Sequence, residues 1–361
     1  MKFQIVTLAL AASLFVSCSN TTTTPVEPPK YDATPYSFDA KGLPVPKLPV
    51  DNALTQQKVE LGRMLFHETM LSKDNTQACA SCHKQADGFS DIRQFSIGVQ
   101  GLPGKRQAMP IFNMAWHTDG FFWDGRAPLL RDQALRPIQD VLEMNETLPN
   151  VIKKLSDTEK YRFQFIRAFG NDTINELKIS LALEQFMLTI VSGNSKFDKM
   201  NRGQTVFTDQ EERGRKLFFT EFDPMNKVKG AECFHCHGGT NFTNNNYINN
   251  GLDDDAGITD LGRYEVTKVK RDWATFKVPS LRNVALTPPY MHDGRLASLE
   301  EVVDHYATGV KKSISVDFQM QYNLQPGGLK LSEQDKDDLV AFLNTLTDAD
   351  LAANTAFGAP K

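Results

Sequence analysis

One five-residue pattern constrains this chain more than any other, and it occurs twice. Cys79-Ala-Ser-Cys82-His83 and Cys233-Phe-His-Cys236-His237 both read C-x-x-C-H. Two thiols about one helical turn apart can bond the two vinyl groups of a porphyrin. The adjacent histidine then supplies an axial ligand to iron, so the pattern is the attachment signature of c-type haem. Two other readings compete: one four-thiolate zinc site built from both pairs, or a disulfide within each pair. Zinc gives no reason for a histidine directly after each second cysteine. The haem reading predicts two covalently bound c-type haems and no disulfide in the body of the protein.

The surrounding sequence is duplicated in the same order. Glu60-Leu-Gly-Arg-Met-Leu-Phe66 recurs as Glu212-Arg-Gly-Arg-Lys-Leu-Phe218, and Asp124-Gly-Arg126 recurs as Asp293-Gly-Arg295. A length of 361 residues suits about two domains. Local signals are mostly helical. Capping boxes are expected at Thr173-x-x-Glu176, Thr208-x-x-Glu211, Ser298-x-x-Glu301 and Ser332-x-x-Asp335. The last precedes Leu339, Phe342, Leu343 and Leu346 at helical spacing, and residues 176–191 also read as a helix. Residues 84–110 and 238–280 read as long loops, of the kind a large cofactor can hold in place. The predicted fold is all-α: two cytochrome c-like haem domains from an internal duplication, spanning residues 51–200 and 201–361, with long loops.

The amino terminus reads as an address. Lys2 precedes an apolar run from Phe3 to Val16, too short for a comfortable membrane span and suited to a signal peptide over residues 1–17. Cys18 then stands where a bacterial lipoprotein carries its lipidated residue, although Phe15 replaces the usual leucine three places before it. The alternative is ordinary secretion with Cys18 removed or inert. Four consecutive threonines and seven prolines make residues 18–50 an extended tether. The expected location is the periplasm, with a lipid anchor through Cys18.

Composition excludes several classes. A net charge of -4 argues against a general nucleic-acid binder. A mean hydropathy of -0.38 rules out a multi-span membrane protein. The Asn-rich run from Asn244 to Asp255, with Asp253, Asp254 and Asp255, lacks EF-hand spacing and reads as a solvated loop.

Chemistry then turns on the sixth position of each iron: filled, the haem transfers electrons; open, it binds peroxide or another small ligand. The remaining histidines are His67, His117, His235, His292 and His305, none marked by pattern as a ligand. Leu299, Val302, Val303 and Tyr306 fall on one helical stripe. Tyr306 therefore points inward, as a core residue or as a ligand; the pattern does not choose.

Four long segments carry a family resemblance: C-A-S-C-H at 79–83, F-W-D-G-R-A at 122–127, Q-A-L-R-P-I-Q-D-V-L-E-M at 133–144, and F-K-V-P-S-L-R-N-V-A-L-T-P-P-Y-M-H-D-G-R at 276–295. Over about residues 55–347 the chain resembles the bacterial di-haem cytochrome c peroxidases, and more closely their MauG-like branch. The resemblance implies that His83 and His237 are proximal ligands. It makes Glu143 the acid–base residue above the first haem, Gln133 its polar neighbour, and Trp123 the bridge between the haems. Tyr306 matches the distal ligand position of the second haem, where typical peroxidases have methionine and MauG-like members tyrosine. His292 matches a residue near that haem's propionates, and Thr287 and Pro289 match carbonyl donors to calcium. Two departures stand out. The Ser96–Gly104 loop lacks the histidine that caps the first haem in many family peroxidases, which implies an open first haem. Gln107 replaces the usual calcium-binding asparagine.

The implied function is hydrogen peroxide reduction with electrons from a small donor protein, a cytochrome c or a cupredoxin. The alternatives are a MauG-like oxidase that modifies aromatic residues of a partner protein and a non-enzymatic electron-transfer cytochrome. The missing distal histidine and the Glu143/Gln133 pair argue against the last. Family peroxidases often form homodimers, so a homodimer is a further expectation.

Overall fold

Two crossed helix pairs organise the molecule, and a glycine makes each crossing close. In the first pair, Gln56–Phe66 lies against Glu176–Thr189. A Cβ on Gly62 would stand 2.0 Å from the Ala182 carbonyl oxygen, so no other residue fits there. In the second pair, Asp209–Phe218 lies against Glu333–Asn344, and a Cβ on Gly214 would stand 1.8 Å from the Asp338 carbonyl oxygen. The computed structural model describes Met1 and residues 27–360; the signal segment and Cys18 lie outside the described residues. Among the described residues the fold is mostly helical. Its one sheet is a two-stranded antiparallel ribbon that pairs Tyr247–Ile248 with Phe276–Lys277.

Each helix pair seeds its own apolar cluster. The first gathers Leu61, Leu65, Phe66, Phe89, Phe165 and Phe186; the second gathers Phe218, Phe242, Leu339, Phe342 and Leu346. Burial of side chains this large, about 1.5–3 kcal/mol each, is what holds the short helices in place. Capping follows the sequence in full at Thr208 and Ser332; at Ser298 the hydroxyl accepts from the Glu301 amide, but the Glu301 carboxylate accepts from the Ala297 amide and the box does not close. At Thr173 capping does not follow the sequence. Asn175 caps the helix instead, its side chain accepting from the Lys178 amide at 2.9 Å, because the asparagine stands two residues closer to the first apolar turn.

The same contacts recur in both lobes. Asn113 and Asn283 both adopt left-handed backbone, at φ 52° and 56°. The Asn113 amide donates to Ile190 O at 2.8 Å while its side-chain oxygen accepts from the Ser192 amide. The Asn283 amide donates to Leu346 O at 3.0 Å while its side-chain oxygen accepts from the Asp348 amide. Each asparagine thus fastens its loop to the end of a core helix.

The lobes do not divide cleanly at residue 200. Phe197 packs with the second cluster, and Asp198 forms a buried ion pair with Arg282 at 2.9 Å. At the other end the chain returns to the first lobe. Leu351 and Phe357 join the first cluster, and Arg63 Nε donates to Gly358 O at 2.8 Å. Residues 27–50, expected as part of a tether, are extended but laid along the body. The Asp32 amide donates to Arg167 O at 3.0 Å, Trp116 Nε1 donates to Pro44 O at 2.8 Å, and Leu43 is buried. Proline fixes the extended conformation, and the tyrosine and leucine between the prolines give it something to bury. Among the described residues no helix is long and apolar enough to cross a membrane.

Candidate functional site

The first C-x-x-C-H segment forms a one-turn helix, Cys79–Cys82, that delivers His83 to a cavity of about 820 Å³. That size is within the usual range for a bound cofactor. His83 Nδ1 faces the Phe89 carbonyl oxygen at 3.1 Å. A proton on Nδ1 satisfies that contact and leaves Nε2 with a free lone pair, the tautomer an iron ligand requires. Burial pushes the imidazole pKa down, against the pull of the Phe89 carbonyl, so the ring is neutral. His237 repeats the arrangement: Nδ1 lies 3.1 Å from Phe242 O and burial lowers its pKa to about 4.

All four cysteines of the two motifs are free thiols. Burial pushes Cys79, Cys233 and Cys236 up to about 12. The two pairs belong to different lobes. Among the described residues no three His, Cys, Asp or Glu side chains converge as a metal cluster, so the pairs cannot form one four-thiolate site. A pair of cysteines one turn apart beside a histidine whose Nδ1 is met by a carbonyl, each set facing a cavity, fits a covalently held haem in both lobes.

Glu143 and Gln133 share the His83 cavity, and an adjoining pocket brings Cys79 to the same two side chains. Glu143 ends a turn that begins at Asp140, its amide donating to Asp140 O at 3.0 Å. Burial, reinforced by the negative charge of Asp140 and opposed by Arg126, pushes the carboxyl up to about 7. The Ser96–Gly104 loop supports this turn. The Val99 amide donates to Glu143 O at 2.8 Å, and a Cβ on Gly98 would stand 2.1 Å from Leu142 O.

Trp123 is buried at the junction of the two cavities and, among the described residues, is the one aromatic side chain lining both. Its Nε1 donates to Gln107 O at 2.9 Å and its carbonyl accepts from the Lys277 amide at 2.7 Å. The second cavity holds Cys233, His237, Tyr306 and His292. The helix capped by Ser298 ends at Asp304 and continues as a π-turn, His305–Gly309, which re-aims Tyr306 into this cavity. Asn250 Nδ2 donates to Tyr306 Oη at 3.1 Å. Burial outweighs that bond and holds the phenol at about 12. His292 stacks on Phe276 at 3.6 Å between ring centroids, and burial lowers its pKa to about 4.

The chain's relatives bear on this arrangement. The family model described as di-haem cytochrome c peroxidase matches residues 56–206. The methylamine utilization protein MauG of Methylorubrum extorquens is 37% identical over 310 residues, covering 85% of this chain and 82% of that protein. The cytochrome c551 peroxidase of Nitrosomonas europaea is 33% identical, covering 80% of this chain and 79% of that protein. A crystal structure of a MauG-like protein associated with microbial copper homeostasis superposes with a TM-score of 0.80 at 32% identity, covering 88% of this chain and 97% of that one. The chain belongs to the di-haem cytochrome c peroxidase family.

It is a peroxidase-type oxidoreductase on the MauG-like side of that family, with two c-type haems as cofactors. Membership gives the site its parts list, and the structure adds residues that motif reading passed over. Asn250 contacts Tyr306 from 56 positions away in the chain. Arg106 joins Asp124 of the first lobe to Asp260 of the second, at 2.7 Å each. Lys277 lines both cavities. No local pattern marks these three, because each acts through a partner distant in sequence. Of the other histidines, His67 Nε2 lies 2.9 Å from Phe357 O, and His305 Nε2 lies 3.2 Å from Asn250 O. His235 lies 3.8 Å from Glu221. His117 lines the first cavity, where burial and the Lys277 charge lower its pKa to about 3.

Proposed function

We propose that the protein reduces hydrogen peroxide at the His83 site, using electrons that a small periplasmic donor protein delivers through the His237 site. The observation that carries this reading is Glu143: a carboxyl near neutral pKa, facing the His83 cavity beside Gln133. A group poised near pH 7 can both accept and return a proton. A c-type haem held by Cys79, Cys82 and His83 would supply iron that binds peroxide and the capacity to exchange electrons. Glu143 takes the proton from one peroxide oxygen and delivers it to the other, which departs as water. Two electrons and two further protons complete the conversion of peroxide to two waters. Gln133 offers an amide to orient the oxygens. Trp123, pinned at both its indole nitrogen and its carbonyl, keeps an aromatic ring between the lobes for electron transfer.

The recurring glycine, histidine and asparagine contacts support reading the two lobes as copies of one duplicated α-helical unit. Tyr306 is read as the distal ligand of the second haem, and His292 as a neighbour of its propionates. A calcium ion held by the Thr287 and Pro289 carbonyls belongs to the same proposal. Gln107 Nε2 donates to Ser90 Oγ at 3.1 Å and to Asp91 O at 3.2 Å. Export, a lipid anchor at Cys18 and a homodimer complete it.

One observation favours a second reading. A phenol oxygen in the second cavity, where a hard donor lowers the potential, suits a MauG-like oxidase that acts on aromatic residues of a partner protein. Steady-state turnover separates the two. Sustained peroxide-dependent oxidation of a reduced small cytochrome is expected of the first. If peroxide instead leaves a long-lived oxidised protein that small donors barely drain, the second holds.

A further inference from the structure

Among the described residues two basic side chains are only 2% exposed, Arg282 and Lys277. Arg282 has a carboxylate, Asp198. Lys277, among the described residues, has no ion-pair partner. Its ammonium donates to Thr118 O at 2.6 Å and to Asn245 O at 3.3 Å, with the Tyr247 ring 5.1 Å away. Two carbonyls leave one of three N–H donors unassigned. Burial lowers its pKa to about 8, with Asp119 opposing and Arg263 assisting, so the side chain is still charged at neutral pH.

A buried, charged ammonium without an anion is costly, and proteins keep one only where a counter-charge is supplied. The side chain's position shows where that anion belongs. Lys277 lines both cavities, its backbone amide is bonded to Trp123, and the strand it sits on leads into the wall of the second cavity. Each porphyrin brings two carboxylates of its own. We propose that Lys277 is the internal counter-charge for a haem propionate at the junction of the two cavities, and that it holds up the reduction potential of the adjacent iron. This rests on both cavities holding haem. A fixed cation favours the reduced, less positive centre. Removing it leaves the propionate charge uncompensated, and that negative charge favours the oxidised, more positive centre, which lowers the potential.

The competing role is mechanical, since the same ammonium ties Thr118 of the first lobe to Asn245 of the second. Spectroelectrochemical titration of the intact dihaem protein separates the two. In Lys277→Gln, the midpoint of at least one haem is expected to fall by a tenfold shift of its one-electron equilibrium, 59 mV, with Lys277→Arg recovering most of it. Two haems with unmoved potentials and only a lower melting temperature would overturn the proposal. A wild-type protein with fewer than two c-type haems per chain, by pyridine haemochrome assay, overturns the cofactor reading and this proposal with it. If Lys277→Gln does not fold, redox-difference infrared spectra of [15N]lysine-labelled protein decide. A lysine-sensitive band in the wild type that is missing from Lys277→Arg supports the proposal, and its absence from the wild type defeats it.

Discussion

The Val99 amide donates to the Glu143 carbonyl at 2.8 Å, and this bond fastens the Ser96–Gly104 loop to the turn that carries the Glu143 carboxyl. The loop that in many relatives supplies a capping histidine serves here as a brace. Gly98 makes the brace close, with Leu142 O and Glu143 O standing 2.1 and 2.7 Å from where a Cβ would lie. Gly98→Ala is therefore expected to push the Glu143 turn away while leaving both haems attached. A displacement near 1 Å at a catalytic group costs on the order of 100-fold. Peroxide turnover should fall by that order, with haem content and far-ultraviolet dichroism unchanged.

Glu143 sets the pH dependence. Its carboxyl is pushed up to about 7, and under the proposed role it accepts the peroxide proton only when ionised. The rate is expected to rise as pH increases through about 7 and to level above it. Glu143→Gln should lower kcat by about 10²–10⁴-fold and flatten that limb. Stability should move the other way. A carboxylate whose folded pKa is raised favours the folded state less as pH climbs from its unfolded value near 4.5 through 7. The neutral glutamine removes that penalty, so the variant should melt at a higher temperature than wild type at pH 8 and close to wild type at pH 4.

Tyr306 gives a spectroscopic prediction. Under the ligand reading, Tyr306→Phe removes a hard donor and should alter the low-spin signal of the second haem alone. Asn250→Ala should leave the ligand in place and shift the same signal by less, since it deletes only the bond to Tyr306 Oη. Equal spectra for wild type and Tyr306→Phe would remove the tyrosine from the ligand set.

The crossed helix pairs give a stability prediction. Gly62→Ala and Gly214→Ala each force a methyl group against a carbonyl oxygen. Overpacking of this kind costs about 1–3 kcal/mol, sometimes more. Urea denaturation should show the loss in each variant separately.

Much of this was legible in the sequence because it was local. The C-x-x-C-H segments, the Ser332 cap and the stripe ending at Tyr306 are all defined within a dozen residues. The paired glycines were visible as a repeated motif, though only the structure shows that each lies under a crossing helix. What stayed hidden depends on chain segments that meet late. Phe357 packs beside Phe89 at 6.1 Å between centroids, so the carboxy-terminal tail completes the amino-terminal lobe. The cap at Asn175 was misplaced to Thr173 because both residues can cap and the apolar turn decides between them. Lys277 sits in an apolar-flanked stretch, where only its burial between two cavities distinguishes it from a surface lysine.

The central claim is an open haem on His83 beside Glu143, paired with a closed one on His237. The electron paramagnetic resonance spectrum of the fully oxidised dihaem protein tests it most directly. One high-spin ferric signal and one low-spin signal, with only the former changing when a small ligand such as azide is added, is the expected result. Two low-spin signals, neither responsive to the ligand, would contradict it.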